Sequence, residues 1–153
     1  MKTSRKLFLN LFFAILTLTP GPICYLIYSQ IVSYNPSLSM SLVEQRSNVA
    51  VIVATFACTM LGFLAAVITI LFTFAGSKTF QKYKKNGHLD VFFFIYFLTI
   101  FCLIITFALG LLSLSTSTSA MLFSIMAVVN NLVQIAILTW IIVSLSYKAS
   151  LSN

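Results

Sequence analysis

The sequence predicts an all-helical membrane protein with four transmembrane helices. Of its 153 residues, 60% are hydrophobic and only 7% are charged, and the mean hydropathy is +1.07. A soluble domain carries about 25% charged residues, so the composition excludes that class. Three long segments, 7–43, 47–77 and 91–147, have no charged residue. Because one span needs about 20 apolar residues, the first two segments can each hold one helix and the third can hold two.

The third segment contains one polar cluster, SLSTSTSA at 113–120, which predicts a turn between its two helices. We therefore expect spans at about 7–32, 48–75, 91–113 and 120–146, within a single domain over residues 1–153. No stretch remains that could build a soluble domain. We expect the first span to be retained rather than cleaved as a signal peptide, because no A-x-A-like site follows its apolar run.

Lysine and arginine predict the orientation, since cytoplasmic loops carry an excess of both. One side of the membrane is expected to hold a single basic residue, Arg46. The other side holds the N-terminus, the middle loop and the C-terminus, which together carry eight. Both termini are therefore expected in the cytoplasm. The eight residues are Lys2, Arg5, Lys6, Lys78, Lys82, Lys84, Lys85 and Lys148.

The first span is interrupted by the sequence LTLTPGPICY at 16–25. Pro20 and Pro22 cannot donate backbone hydrogen bonds, and Gly21 between them adds conformational freedom. In lipid, the freed carbonyl groups need partners from neighbouring helices, from threonines or from water. The break is interpreted either as a static kink or as a hinge at Pro20, Gly21 and Pro22.

The second span has a small residue at every fourth position over four turns, which predicts a helix-packing face. Apolar side chains have no hydrophobic reason to associate in lipid, so close backbone approach must drive contact. The partner is either another span of the same chain or a second copy. The residues are Ala50, Ala54, Cys58, Gly62 and Ala66.

The middle loop, AGSKTFQKYKKNGHLD at 75–90, predicts a short amphipathic helix that lies in the membrane interface. Ser77 is a suitable N-cap, and Gly87 is a suitable C′ residue. The lysines have two interpretations: they fix the orientation and attract anionic lipids, or they form a docking surface at residues 77–90 for a cytoplasmic trigger protein or ligand. We assign Lys78, Phe80, Lys82, Tyr83, Lys84, Lys85 and His88 to this surface.

The last span carries three amides near its centre, Asn130, Asn131 and Gln134, which predict an intramembrane polar face. Unpaired amides in hydrocarbon cost several kcal/mol, so they must meet protein or water. They share one sector of the helix by their spacing of three and four residues. Either they hydrogen-bond across helices and fix the packing, or they line a hydrated path when several copies assemble.

Enzymatic chemistry is not expected. The chain has one histidine and two acidic residues, Glu44 and Asp90, predicted on opposite sides of the membrane. This inventory builds no acid–base pair and no metal cluster. We expect no cofactor, no metal and no sequence-specific binding of nucleic acid. The expected partners are the bilayer with its anionic lipids, other copies of the chain and a cytoplasmic trigger.

One stretch of about 20 residues, Lys78 to Phe97, resembles small multi-span membrane effectors of bacterial anti-phage defence systems. The resemblance rests on the motif F-x-K-Y-K-K-N-G-H-L-D and on the aromatic run VFFFIYF that follows it at 91–97. It implies a bacterial inner-membrane protein that depolarises or permeabilises the membrane when triggered. An accessory subunit that binds another membrane protein is the alternative. A holin-like lysis protein ranks third, because the C-terminal YKASLSN is not a highly charged tail.

Overall fold

The computed structural model describes residues 3–35, 44–115 and 118–150, which are helical apart from short turns. Four segments are long and apolar enough to span a membrane, as the sequence predicts. The first is built from two helices. The helices are α1 (Thr3–Leu18), α2 (Pro20–Tyr34), α3 (Arg46–Thr73), α4 (Lys78–Lys85), α5 (His88–Leu112) and α6 (Thr118–Ser150).

The break in the first span is local and lies between α1 and α2. Thr19 N donates to Ile15 O at 3.0 Å, and Ile23 N donates to Thr19 O at 3.2 Å, so regular helical bonding resumes within one turn. Thr19 keeps helical dihedral angles, with φ −76° and ψ −29°. Pro20 begins α2, where the fixed φ angle of proline suits the first turn of a helix. The two prolines therefore remove hydrogen bonds without turning the chain sharply.

Helix α5 lies at the centre of the bundle, where it contacts α1, α3, α4 and α6. The most apolar window of α5 is 39% buried, compared with 28% for α6, 22% for α3 and 11% for the first span. Helix α1 packs on α5 and α6, whereas α2 packs on α6. The first span is therefore the one that the rest of the chain covers least.

The core is an aliphatic and aromatic cluster between α3, α5 and α6. Most of its members recur at spacings of three, four or seven residues along each helix, which places them on one face. A polar contact joins α5 to α3 within it, because the buried Tyr96 hydroxyl of α5 donates to Leu64 O of α3 at 3.2 Å. The fully buried side chains at its centre are Leu64, Leu71, Ile95, Leu103, Leu138 and Leu145.

The short helix α4 has the boundaries that the sequence predicts. Ser77 Oγ accepts a hydrogen bond from Phe80 N at 3.1 Å, which is an N-cap contact. Gly87 ends the turn with φ 74°, a left-handed conformation that favours glycine. Helix α4 contacts α5 and α6 and covers one end of the bundle, which we call the α4 end.

One residue of the expected docking surface is corrected by the structure. Phe80 is only 6% exposed and belongs to the core cluster, because the apolar face of α4 packs against the ends of the long helices. The ring is therefore unavailable to a partner. The exposed cations of this surface are Lys78, Lys82, Lys84 and Lys85.

Candidate functional site at the centre of the last span

The three amides of α6 are packed against two different neighbours. Asn131 and Gln134 have no exposed surface, and Asn130 is half-buried. Asn130 faces α2, whereas Asn131 and Gln134 face α5. The sequence places all three in one sector, but α6 lies between two helices, so adjacent residues 130 and 131 meet different partners.

Asn130 forms a hydrogen bond with the backbone at the break of the first span. Its Oδ1 accepts a hydrogen bond from Gly21 N at 2.7 Å. Gly21 lies in the first turn of α2, where backbone N–H groups have no intrahelical acceptor, and the prolines on either side have no N–H to offer. A side chain of the last span therefore supplies the cap that α2 lacks within its own sequence.

Gly21 is also the point of closest approach between α2 and α6. A Cβ atom there would lie 2.6 Å from Met126 O and 2.9 Å from Asn130 Nδ2. Distances below 3.0 Å are not tolerated without movement of one partner, and Met126 O is a backbone atom. The contact therefore requires glycine at this position.

Asn131 and Gln134 form a polar seam with α5. Asn131 Nδ2 donates to Thr106 Oγ1 at 2.6 Å, and the Thr106 hydroxyl in turn donates to Cys102 O at 2.8 Å. One helical turn away, Gln134 Nε2 donates to Cys102 Sγ at 3.6 Å. Sulfur is a weak acceptor, so the Gln134 bond is the weaker of the two.

Two acceptors in this seam have no hydrogen-bond partner among the residues that the structure describes. They are Asn131 Oδ1 and Gln134 Oε1, both fully buried. Leaving a buried acceptor unpaired destabilises the fold by about 1–3 kcal/mol. A donor, a water molecule or a cation that reached either oxygen would therefore bind favourably. Polar groups inside a membrane are candidates for function for this reason.

The small-residue row of α3 is only partly a packing face within the chain. Ala50 is buried and Ala54 is half-buried, whereas Cys58, Gly62 and Ala66 are exposed. A residue at every fourth position advances about 40° around a helix of 3.6 residues per turn, so the row winds away from the bundle. A Cβ on Gly62 would meet no atom within 4 Å. These last three residues are therefore not covered within the single chain, and the prediction that they form a helix-packing face stays a prediction.

Some contact residues of α5 are not found by sequence reasoning. Thr106 and Cys102 hold the amides of α6, and Gly110 lets α3 approach closely, because a Cβ there would lie 3.0 Å from Val53 Cγ1. Thr99, Thr106 and Gly110 share one face at spacings of seven and four residues. Small and polar residues at these spacings in an aromatic-rich helix are the signal that could have identified this face.

The loop residues of the expected docking surface lie together at the α4 end. The rings of Tyr83 and His88 are 5.5 Å apart. Lys148 Nζ donates to the Tyr83 hydroxyl at 3.4 Å and lies 5.9 Å from the centre of the ring. The end of α6 therefore adds one further cation to the lysines of α4.

No protein-family profile, curated protein or solved structure matches the chain. Within residues 3–35, 44–115 and 118–150, no three His, Cys, Asp or Glu side chains are grouped as metal ligands. The three cysteines are free thiols. A functional hypothesis therefore rests on the polar centre of α6, on the exposed small residues of α3 and on the α4 end.

Proposed function

We propose that the chain is a membrane-perturbing effector of bacterial anti-phage defence, which resides in the inner membrane in a closed state and forms a depolarising path when several copies open together. Both termini and α4 face the cytoplasm in this proposal, and the protein acts without enzymatic chemistry. The observation that carries it is the polar seam of α6. Two buried acceptors without partners, Asn131 Oδ1 and Gln134 Oε1, lie at mid-span beside a first span that is broken at the same contact region.

In this proposal, the described arrangement is the closed state. Asn131 and Gln134 have no exposed surface, and each donates its amide N–H to α5. A single chain arranged in this way offers no hydrated route past the two amides. A conducting path therefore requires a rearrangement of the helices.

The contact between α2 and α6 is the part best suited to open first. The first span is the least buried of the four, and its prolines cost it backbone hydrogen bonds. The Gly21–Asn130 bond is its polar attachment to α6. When α2 moves away from α6, water can reach Asn130. Separation of α5 from α6 would then expose Asn131 and Gln134 to the same water-filled path.

Assembly is supported by the exposed small residues of α3. Cys58, Gly62 and Ala66 lie on the outside of the bundle, where they would permit a second helix to approach closely. Four helices enclose too little space for a water-filled channel, so a path lined by the amides needs several copies. The exposed lysines of α4 offer a surface for the trigger, in keeping with the resemblance of residues 78–97 to defence effectors.

An accessory subunit is the second candidate, and the same surface of α3 favours it. Close packing of small residues serves a different membrane protein as well as a second copy. In this case the amides of α6 would only fix the fold. The two candidates differ in their consequences, because an accessory subunit is harmless when expressed alone.

Membrane potential during expression separates the two candidates. We would express the chain at high level in a bacterial host with the genes that flank it, challenge the cells with a panel of phages as a source of triggers, and follow a potential-sensitive dye. The effector is expected to depolarise the cells, and Asn131→Leu combined with Gln134→Leu is expected to prevent it. Thr139→Val is the matched control, because the Thr139 hydroxyl donates to Ile135 O of its own helix. Normal potential and growth in all of these conditions would reject the effector and leave the accessory subunit.

A further inference from the structure

A cavity of about 410 Å³ lies at the α4 end of the bundle, between α1, α5 and α6. Its volume falls within the range of about 300–1,000 Å³ that is typical of sites for small molecules. Buried side chains of three helices form its floor, and α1 contributes a half-buried wall. The residues of the floor are Leu71, Val91, Phe92 and Leu145, and those of the wall are Leu9 and Phe13.

The cavity opens at the side of the bundle. Trp140 lines it and is nevertheless 77% exposed, so the space at this residue continues to the outer surface of the helices. In a membrane, that surface is covered by lipid. A molecule can therefore enter from the bilayer without crossing the protein.

The rim of the cavity is polar and carries positive charge. Tyr83, His88 and Ser144 line it, and Lys148 Nζ is bound to the Tyr83 hydroxyl at 3.4 Å. Three more lysines lie on the same short helix as Tyr83, at positions 82, 84 and 85. Asp90 is the one acidic residue of the described part of this end. An apolar floor beneath a basic rim matches an amphiphile with an anionic head.

We propose that this cavity binds one acyl chain of an anionic phospholipid, with the lipid phosphate held at the rim by Lys148 and the lysines of α4. The acyl chain displaces solvent from apolar walls, and the phosphate meets cations at the level where headgroups lie. A zwitterionic phospholipid can fill the same cavity but gains less from the rim. The proposal does not depend on pore formation, since a lipid site of this kind would serve an accessory subunit equally well.

The fluorescence of Trp140 gives a direct readout, because it is the single tryptophan of the chain and lines the cavity. The full chain would be reconstituted in nanodiscs that contain a small fraction of phospholipid with brominated acyl chains, which quench tryptophan on contact. Phosphatidylglycerol and phosphatidylcholine would be compared at equal fractions. Lipids that only surround the helices quench in both cases, so the measured quantity is the preference for the anionic lipid.

Three variants test the two parts of the site. Ser144→Phe fills the cavity and is expected to abolish the preference, whereas Val143→Phe adds the same ring at a position that is 59% exposed to the outside and is expected to preserve it. Lys148→Gln is expected to lower the relative affinity for phosphatidylglycerol about five-fold, the effect of one lysine near a membrane surface. Inorganic phosphate is expected not to compete.

Two results would overturn the proposal: equal quenching by the two lipids in the wild-type chain, or a preference that survives Ser144→Phe. Competition by inorganic phosphate would also overturn it, because it would identify a site for the head alone. If the Ser144→Phe variant fails to fold, native mass spectrometry of the Lys148→Gln variant and the wild-type chain tests the proposal instead. That measurement is then expected to find less phosphatidylglycerol retained on the Lys148→Gln variant than on the wild-type chain, and equal retention rejects the site.

Discussion

The side-chain oxygen of Asn130 accepts a hydrogen bond of 2.7 Å from the backbone N–H of Gly21, which joins the centre of the last span to the break in the first. Each group supplies what the other lacks: the first turn of α2 has a free N–H, and an amide in a membrane needs a polar partner. The proline break and the polar centre of α6 are therefore parts of one contact.

Gly21→Ala is expected to destabilise the bundle by about 1–3 kcal/mol, the usual cost of overpacking, because its Cβ would lie 2.6 Å from Met126 O. Gly62→Ala is the matched control, since a Cβ there meets no atom within 4 Å. Thermal unfolding of the purified variants in detergent measures both. Equal unfolding temperatures for the two variants would contradict the close approach of α2 to α6.

Asn131 and Thr106 are expected to be energetically coupled, so that the double variant loses less stability than the two single variants together. Thr106→Val alone leaves a buried amide without its partner and is expected to cost about 1–3 kcal/mol. Adding Asn131→Leu removes the remaining polar group and should restore part of this loss. A double-mutant cycle in the free energy of unfolding gives the coupling, expected at about 0.6–1.7 kcal/mol for such pairs in membranes. Additive losses would show that the 2.6 Å contact contributes nothing.

Self-association is expected to use the exposed small residues of α3. Gly62→Leu introduces bulk where a second helix would approach and is expected to shift the chain towards the monomer in nanodiscs. Ala136→Leu, which changes an exposed residue of α6, is the control. Oxidative cross-linking provides a second measurement, because Cys58 is the exposed cysteine of the three. Cross-linking that persists in a Cys58→Ser variant would place the interface elsewhere.

The orientation can be tested with a charged thiol reagent that does not cross the membrane. Ser115→Cys lies between α5 and α6, and Lys84→Cys lies in α4; both positions are exposed. The reagent added to intact cells is expected to label the variant at 115 and not the variant at 84, whereas both are labelled after lysis. The opposite pattern would place α4 outside the cytoplasm.

The spans and α4 could be predicted from sequence because their signals are local. Gaps between charged residues determine where a helix can cross a bilayer, and Ser77 and Gly87 determine the ends of α4 through contacts within one turn. The requirement that Asn131 and Gln134 avoid lipid is also local, since it follows from the chemistry of an amide in hydrocarbon.

The partners of these residues depend on the arrangement of the helices and could not be predicted in the same way. Asn130 contacts α2 and Asn131 contacts α5, and the sequence of α6 alone does not specify which neighbour each residue meets. The row from Ala50 to Ala66 looks continuous in sequence, but the bundle covers only the part that faces α5 and α6. The burial of Phe80 is not predicted for the same reason, because the apolar face of an amphipathic helix can meet protein instead of lipid.

The proposed closure of a polar path along α6 by the first span can be tested by ion flux through purified protein in liposomes. Gly21→Leu forces α2 away from α6 without a trigger, so liposomes with a potassium gradient are expected to lose it faster with this variant than with the wild-type chain. Asn131→Leu with Gln134→Leu, added to Gly21→Leu, is expected to restore the gradient. If Gly21→Leu inserts at the wild-type level and the gradient persists, or if the flux is unaffected by removing the two amides, the first span does not close a polar path along α6.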